Sequence, residues 1–294
     1  MKSIYSIKEI IVDEIKRIED IRNNGRCITG IPTGFKKIDD LTSGLQRSNL
    51  IVIAARPGMG KMDFTLTIAR NAALERVPVA IISLVTRKEH FIRELLCMEA
   101  KMKIEQIYNG PLSEVDWSIL SKSVQKLSDL PIVTSDTAGC TVATIREQVR
   151  KIKADHDVGL IIIDHLQQMR SDGLHITREQ EIADICRSLK ELAVELNLVV
   201  IVLSEVSRKP EFRTNHHPRL SDIAEGDVAS YADVVLFVYR DYIYNRSEDD
   251  PEREIAEIIV EKNKNGATGS VKLFFDEEYH TFENFVDRFE LTVG

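Results

Sequence analysis

"LIVIAARPGMGKMDF", residues 50 to 64, decides the fold. Its first six residues are apolar and half of them β-branched, the reading of a strand buried on both faces. They run into a loop carrying Gly58, Gly60 and Lys61, and a helix pattern starts there. The glycines let backbone N–H groups converge on phosphate oxygens, and the helix start adds its positive end. Lys61 is placed to neutralise the β- and γ-phosphates of a nucleotide. The full phosphate-loop pattern is G-x-x-x-x-G-K-[ST]. This loop meets it at Gly60-Lys61 and misses it at both ends, with Ala55 and Met62. A thioether is a poor ligand for magnesium, which demands hard oxygens. The blander reading is a strand–turn–helix corner with a chance Gly-Lys, and the strand and helix on either side weigh against it.

Working outward, "VAIISL" (79–84), "LIIID" (160–164), "LVVIVL" (198–203) and "DVVLFV" (233–238) have the same short, buried-strand character. Helix patterns lie between them, near 61–75, 87–99, 113–128, 141–155 and 178–196. In the last, Ile182, Ile185, Leu189, Leu192 and Leu196 share one face. Cys186 borders that face and reads as packing. This alternation predicts an α/β fold with a mostly parallel central sheet and helices on both faces. "IAEIIVEK" (255–262) and "SVKLFF" (270–275) flank "NKNGATG", the signal of a hairpin at the sheet's far end. Residues 245–254, "NRSEDDPERE", read as a solvated loop. Residues 3–22 read as one amphipathic helix, with Ile4, Ile7, Ile11, Ile15 and Ile18 in a stripe. That stripe must be covered, either by the chain's own domain or by a neighbouring subunit. The expected organisation is an amino-terminal helix over 1–25 and one domain over 26–294.

The net charge of −8 does not announce a nucleic-acid binder. It does not exclude one, since a basic channel can lie inside an acidic protein. Cys27, Cys97, Cys140 and Cys186 are far apart and form no C-x-x-C, so neither a disulfide framework nor a zinc site is expected. His216-His217 is the only close histidine pair, and adjacent residues rarely supply two ligands to one metal. No signal peptide and no membrane-length apolar run is read, so the expected setting is cytoplasmic.

Ligands of such sheets bind at the carboxyl ends of the strands. Asp164 ends "LIIID", placed to hold magnesium, although a strand-end Asp can also simply cap a turn. Val85 and Thr86 follow the second strand. Ser204, Glu205, Val206, Ser207 and Arg208 follow another, and both groups are expected to face the nucleotide.

Taken together, "TGIPTGFKKIDDLTSGLQRSNLIVIAARPGMGK", "LIIIDHLQQM", "EIADICRSLKELAVELN", "SEVSRKPEFR", "ADVVLFVYRD" and "EIIVEKNKNGATGSVKLFF" resemble, in order, the ATPase domain of DnaB-type replicative DNA helicases. The resemblance spans roughly residues 26 to 285. It implies a RecA-like P-loop fold, hexameric rings, ATP with Mg2+ bound between subunits, and 5′ to 3′ movement along single-stranded DNA. It also implies that the helix over residues 3–22 is a linker docking on the next subunit. In that family a leading Ala is common, so Ala55 is no defect. The cradle residues Ala55, Arg56, Pro57, Gly58, Met59, Gly60, Lys61 and Met62 then bind nucleotide, and Asp164 holds the metal.

Several positions depart from the family. Met62 replaces its threonine. Val85 stands where the family places the glutamate that activates the attacking water, and valine cannot accept a proton. Glu205 replaces a glutamine that senses the γ-phosphate. Lys262 matches a lysine that reaches into the neighbour's site, but Lys264 replaces the arginine finger beside it. Lysine lacks the planar fork, and such a finger is worth about 10³–10⁵ in rate in related systems. The DNA loop reads Ser221-Asp222-Ile223-Ala224-Glu225-Gly226-Asp227. It is one residue shorter than the family's and has Ala224 in place of an arginine, which removes a cation from a largely electrostatic contact.

These losses converge on one catalytic constellation, so weak or absent hydrolysis is expected, with magnesium binding in doubt at Met62. Glu205 could stand in for the missing base. The objection is that unit charges about 4 Å apart repel by roughly 4 kcal/mol at an effective dielectric of 20. The expected protein is a DnaB-like nucleotide-binding pseudo-helicase of DNA replication, in its own ring or joined to a replicative helicase, with weakened DNA binding. The other reading is an active, divergent ATP-dependent helicase.

Overall fold

The computed structural model describes residues 28–137, 140–245 and 252–285, together with residues 6–8, 11, 12, 15, 18 and 19. Nine strands form one sheet in the order β3-β2-β4-β5-β1-β6-β7-β8-β9. The six from β3 to β6 are parallel: β1 (Leu50–Ala55), β2 (Val79–Ser83), β3 (Ile132–Asp136), β4 (Leu160–Asp164), β5 (Val199–Glu205) and β6 (Val234–Tyr239). The antiparallel β7 (Ile255–Asn263), β8 (Gly269–Asp276) and β9 (Thr281–Asn284) extend it on one side. The predicted hairpin is β7–β8, and β9 rather than β8 forms the edge.

The helices are α1 (Lys36–Thr42), α2 (Lys61–Leu74), α3 (Lys88–Ala100), α4 (Ile104–Asn109), α5 (Glu114–Ser128), α6 (Val142–His156), α7 (Arg178–Leu196), α8 (Val228–Tyr231) and α9 (Tyr242–Asn245). Side-chain oxygens start the three longest. Ser113 and Asp116 form a reciprocal capping box on α5, and Thr141 and Thr177 cap α6 and α7. The twofold alternation of β1 divides its side chains between two cores. Ile51 and Ile53 join Phe64 and Leu66 of α2 and Phe91 and Leu95 of α3. Leu50, Val52 and Ala54 join Ile145 of α6 and Ile185 and Leu189 of α7. Cys186 is fully buried in that second core, and burial pushes its thiol up to about 12.

Two strands escape the sequence pattern. β3 is half-exposed along an edge, and β9 has only four residues, so neither carries a continuous apolar run. Of the amino-terminal stretch, residues 7, 8, 11, 12, 15, 18 and 19 are helical. Ile7, Ile11, Ile15 and Ile18 are 50–75% exposed, so these four do not pack on the chain's own domain. Ile4, Cys27 and most of the 245–254 loop lie outside the described residues. Among the described residues, no helix is long and apolar enough to cross a membrane.

Candidate functional site

β1 lies between β5 and β6, so its carboxyl end opens where neighbouring strand ends splay apart. Gly58 and Gly60 take the left-handed conformation, φ 80° and 85°, which turns the loop into α2. A Cβ on Gly60 would lie 3.1 Å from the Phe282 ring and 3.3 Å from that of Phe275. The loop therefore closes against β8 and β9, and a cavity of about 630 Å³ opens above it. Glu205 and the residues of the 55–63 loop other than Met59 line it, whereas Met59, expected in the cradle, is turned into the core. Arg240, Phe275, Glu277 and His280 form its far wall.

Lys61 reaches across the cavity floor and donates to the Ser204 carbonyl at 2.9 Å. Burial pushes its ammonium down, and the Asp164 and Glu205 carboxylates pull it back up. The strand ends bring Glu205 level with Ala55, and Asp164 level with Ser83 of β2. Asp164 is 5% exposed. Met62 is half-buried against the core and offers no oxygen. Val85, 58% exposed, lies beyond β4 and does not line the cavity. Among the expected strand-end residues, Ser204 and Val206 are buried and Arg208 is exposed away from the cavity.

Magnesium is the metal this arrangement would take. Asp164 supplies one carboxylate, and among the described residues no cluster of three or more His, Cys, Asp or Glu could hold a metal ion. The chain fits magnesium only as an ion shared with nucleotide phosphates, the common mode for this cation.

Lys262 and Lys264 lie elsewhere. Lys262 pairs with Val235 near the amino end of β6, and the Lys264 N–H donates to the Asp233 carbonyl. That is the opposite end of the sheet from Lys61, separated by the length of β1, about 16 Å for the five steps along its six residues. Lys264 Nζ pairs with Asp233 at 3.1 Å and Lys262 Nζ donates to the Ala229 carbonyl. Asp233 also takes Lys190 at 2.6 Å and the Leu50 N–H at 2.9 Å. Neither lysine can serve the cavity of its own chain.

The predicted DNA loop is tied to the cavity through the backbone. The Ala224 N–H donates to the Glu205 carbonyl at 2.8 Å, and Val206 bridges Ile223. Glu225, at φ 63°, pairs with Arg178 at 3.1 Å, and Gly226 backs onto Glu179. The loop is thus bonded directly to a residue that lines the cavity.

Several residues were not read from the sequence. Arg240, 1% exposed, pairs with Glu277 at 2.7 Å and stacks over Phe275 at 4.5 Å. Asp63 holds His280 at 3.1 Å, and that bond pushes the imidazole up. Glu94, buried beside this pair, is pushed up to about 7 by burial and then by Asp63. His165 sits 3.5 Å from Asp164 and 3.8 Å from Glu205. His165 and Arg240 each directly follow a buried strand, a signal open to sequence reading. His280 is 217 residues from Asp63, and no local pattern pairs them. His216 and His217 stack on Tyr244 and Tyr239.

A mostly parallel sheet with a Gly-Lys loop after β1 and a buried carboxylate ending β4 defines a RecA-like P-loop domain. The chain belongs to the DnaB-like helicase C-terminal domain family, whose model matches residues 30–284. It is 41% identical over 288 residues to the replicative DNA helicase DnaB of Geobacillus stearothermophilus, covering 97% of this chain and 63% of that one. It is 40% identical over 291 residues to the replicative DNA helicase DnaC of Bacillus subtilis (strain 168), covering 98% and 64%. The chain thus spans just under two thirds of the length of these relatives. A separately solved ATPase domain superimposes with a TM-score of 0.90 at 33% identity, covering 97% of this chain and all of that one. A DnaB-like replicative helicase solved for its interactions with primase gives 0.88 at 34%, covering 96% of this chain and 69% of that one.

Proposed function

We propose that this chain binds ATP over Lys61 as a subunit of a ring in DNA replication, and that it turns the nucleotide over slowly. The observation that carries this reading is a glycine–lysine loop with its turn intact beside two missing groups. Gly58, Gly60 and Lys61 are arranged for a triphosphate. Met62 supplies no hydroxyl for magnesium, and Val85 supplies no carboxylate for water. In this reading Asp164 holds the metal together with the phosphates, and ATP carries it in.

Lys262 and Lys264 act on the neighbouring subunit's nucleotide, which their distance from Lys61 supports. The amino-terminal helix, residues 1–25, docks its exposed isoleucine stripe on the next subunit, ahead of the 26–294 domain. Ala224, Glu225 and Gly226 form a DNA contact weakened by the absent cation. The subunit forms its own hexamer or enters the ring of a replicative helicase in the cytoplasm, as a regulatory or structural member. The names of its relatives support a place in replication.

The test has three readouts on the same protein: equilibrium binding of a fluorescent ATP analogue, native mass with and without ATP, and phosphate release with and without single-stranded DNA. The expected result is ATP binding lost in Lys61→Ala, a ring mass, and slow release. DNA-stimulated turnover above about 10 s⁻¹, a typical enzyme value, would overturn slow hydrolysis. A strict monomer would overturn the ring.

A further inference from the structure

Around the cavity, most carboxylates are already engaged by close cations. Asp63 holds His280 at 3.1 Å, and Glu277 holds Arg240 at 2.7 Å. Asp164 is buried at the metal position. Glu205 differs. It lines the cavity beside Lys61, its side chain is 48% exposed, and the nearest imidazole nitrogen, His165 Nε2, stands off at 3.8 Å. That separation is too long for a direct hydrogen bond. In a site without substrate, catalytic contacts are often long and tighten when substrate binds.

The backbone at this point is held from two sides. β4 and β5 are adjacent and parallel, with Ile163 level with Val202, so the chain leaving β4 runs beside the end of β5. Gln167, in the turn after His165, donates to Ser204 Oγ at 3.0 Å and accepts from the Glu205 N–H at 3.3 Å. The Glu205 carbonyl accepts from Ala224 N–H at 2.8 Å. The His165 ring, 15% exposed, lies between the two carboxylates, with Nδ1 3.5 Å from Asp164 and Nε2 toward Glu205. The imidazole therefore stands between Asp164 and Glu205, and the Lys61 ammonium, which interacts with both carboxylates, offsets their mutual repulsion.

We propose that Glu205 is the water-activating carboxylate of this chain, with His165 beside it as a positioning residue that closes on it when nucleotide binds, in place of the carboxylate absent at Val85. This rests on the ATP-binding reading above. In the step, Glu205 takes a proton from a water molecule whose oxygen forms a bond to the γ-phosphorus. The bond from that phosphorus to the β–γ bridging oxygen breaks, and its electron pair leaves with the nucleoside diphosphate. Glu205 returns the proton to solvent, and orthophosphate is released. Lys61 stays on the phosphates throughout.

The test uses the full chain with MgATP and a thymidine oligonucleotide, following phosphate release and, in parallel, binding of a fluorescent ATP analogue. Glu205→Gln is expected to lower kcat by about 10²–10⁴ while analogue affinity changes less than about threefold. Val85→Glu placed in that background is expected to restore turnover, because it returns a carboxylate to the water. His165→Ala is expected to lower kcat by about tenfold at unchanged KM, with partial recovery in His165→Gln, which keeps a donor. Turnover in Glu205→Gln equal to or above that of the unaltered chain would overturn the proposal, as would nucleotide binding with no release at all. Failure to bind the analogue would instead overturn the reading on which it rests.

Discussion

Replacing Glu94 with glutamine should stabilise the protein at alkaline pH and destabilise it by about 1 kcal/mol in acid. Glu94 lies on α3, 7% exposed, with Oε1 3.1 Å from His90 Nε2 and Oε2 buried without a partner. Burial, with Asp63 and Asp164 nearby, raises its carboxyl from the ordinary 4.5 to about 7, against a smaller opposing pull from His280. A raised carboxyl binds its proton more tightly in the folded state than in the unfolded one. Stability therefore falls as pH rises between about 4.5 and about 7, and the full cost is present above that window. The interval of about 2.5 units, at 1.36 kcal/mol per unit, comes to about 3 kcal/mol. Glutamine keeps the volume and never ionises. It leaves one buried amide group short of a partner, at about 1 kcal/mol at every pH. The measurement is urea unfolding of both proteins at pH 5 and pH 8. The difference between the two ΔΔG values cancels the amide cost and should be about 2–3 kcal/mol in favour of the variant at pH 8. Equal ΔΔG at the two pH values would refute the reasoning, because it would mean the carboxyl ionises in the fold as freely as in water.

The triple variant Met62→Thr, Val85→Glu and Lys264→Arg should raise phosphate release, since it returns a metal hydroxyl, a base and a planar finger. A folded triple variant no faster than the starting chain would refute this. Gly60→Ala forces a Cβ at φ 85° against Phe282 and should cost about 1–2 kcal/mol and weaken ATP binding. An unchanged urea midpoint would show that the loop does not close on β9. Ala224→Arg should tighten binding to single-stranded DNA and steepen the log–log salt dependence by about 0.7. Parallel salt slopes would place this loop away from DNA.

The sequence by itself determined a mostly parallel sheet with helices between its strands, though neither the strand order nor the strands β3 and β9. Short β-branched runs such as 50–55 and 160–164 can only be satisfied with both faces covered, and the helix patterns between them require parallel crossovers. It also determined the cradle, because Gly58, Gly60 and Lys61 act through backbone freedom and charge that are local properties of the chain. It pointed to Val85 and Met62 as gaps, since a missing carboxylate or hydroxyl is visible in the residue names. What it left open was decided by contacts between distant segments. The cavity's far wall comes from Arg240, Glu277 and His280, brought over by an antiparallel extension whose last strand, β9, is too short to announce itself. Lys262 and Lys264 proved unable to reach their own cradle because β7 runs antiparallel to β6, which sends them to the other end of the sheet. The isoleucine stripe near the amino terminus is a pattern in the sequence, but its exposure is a fact of packing. Glu205 shows the difference most sharply. In the sequence it was a carboxylate facing repulsion from Asp164. In the fold, adjacent strand ends put the His165 imidazole between the two, and electrostatics depends on what lies between charges as much as on which charges are present.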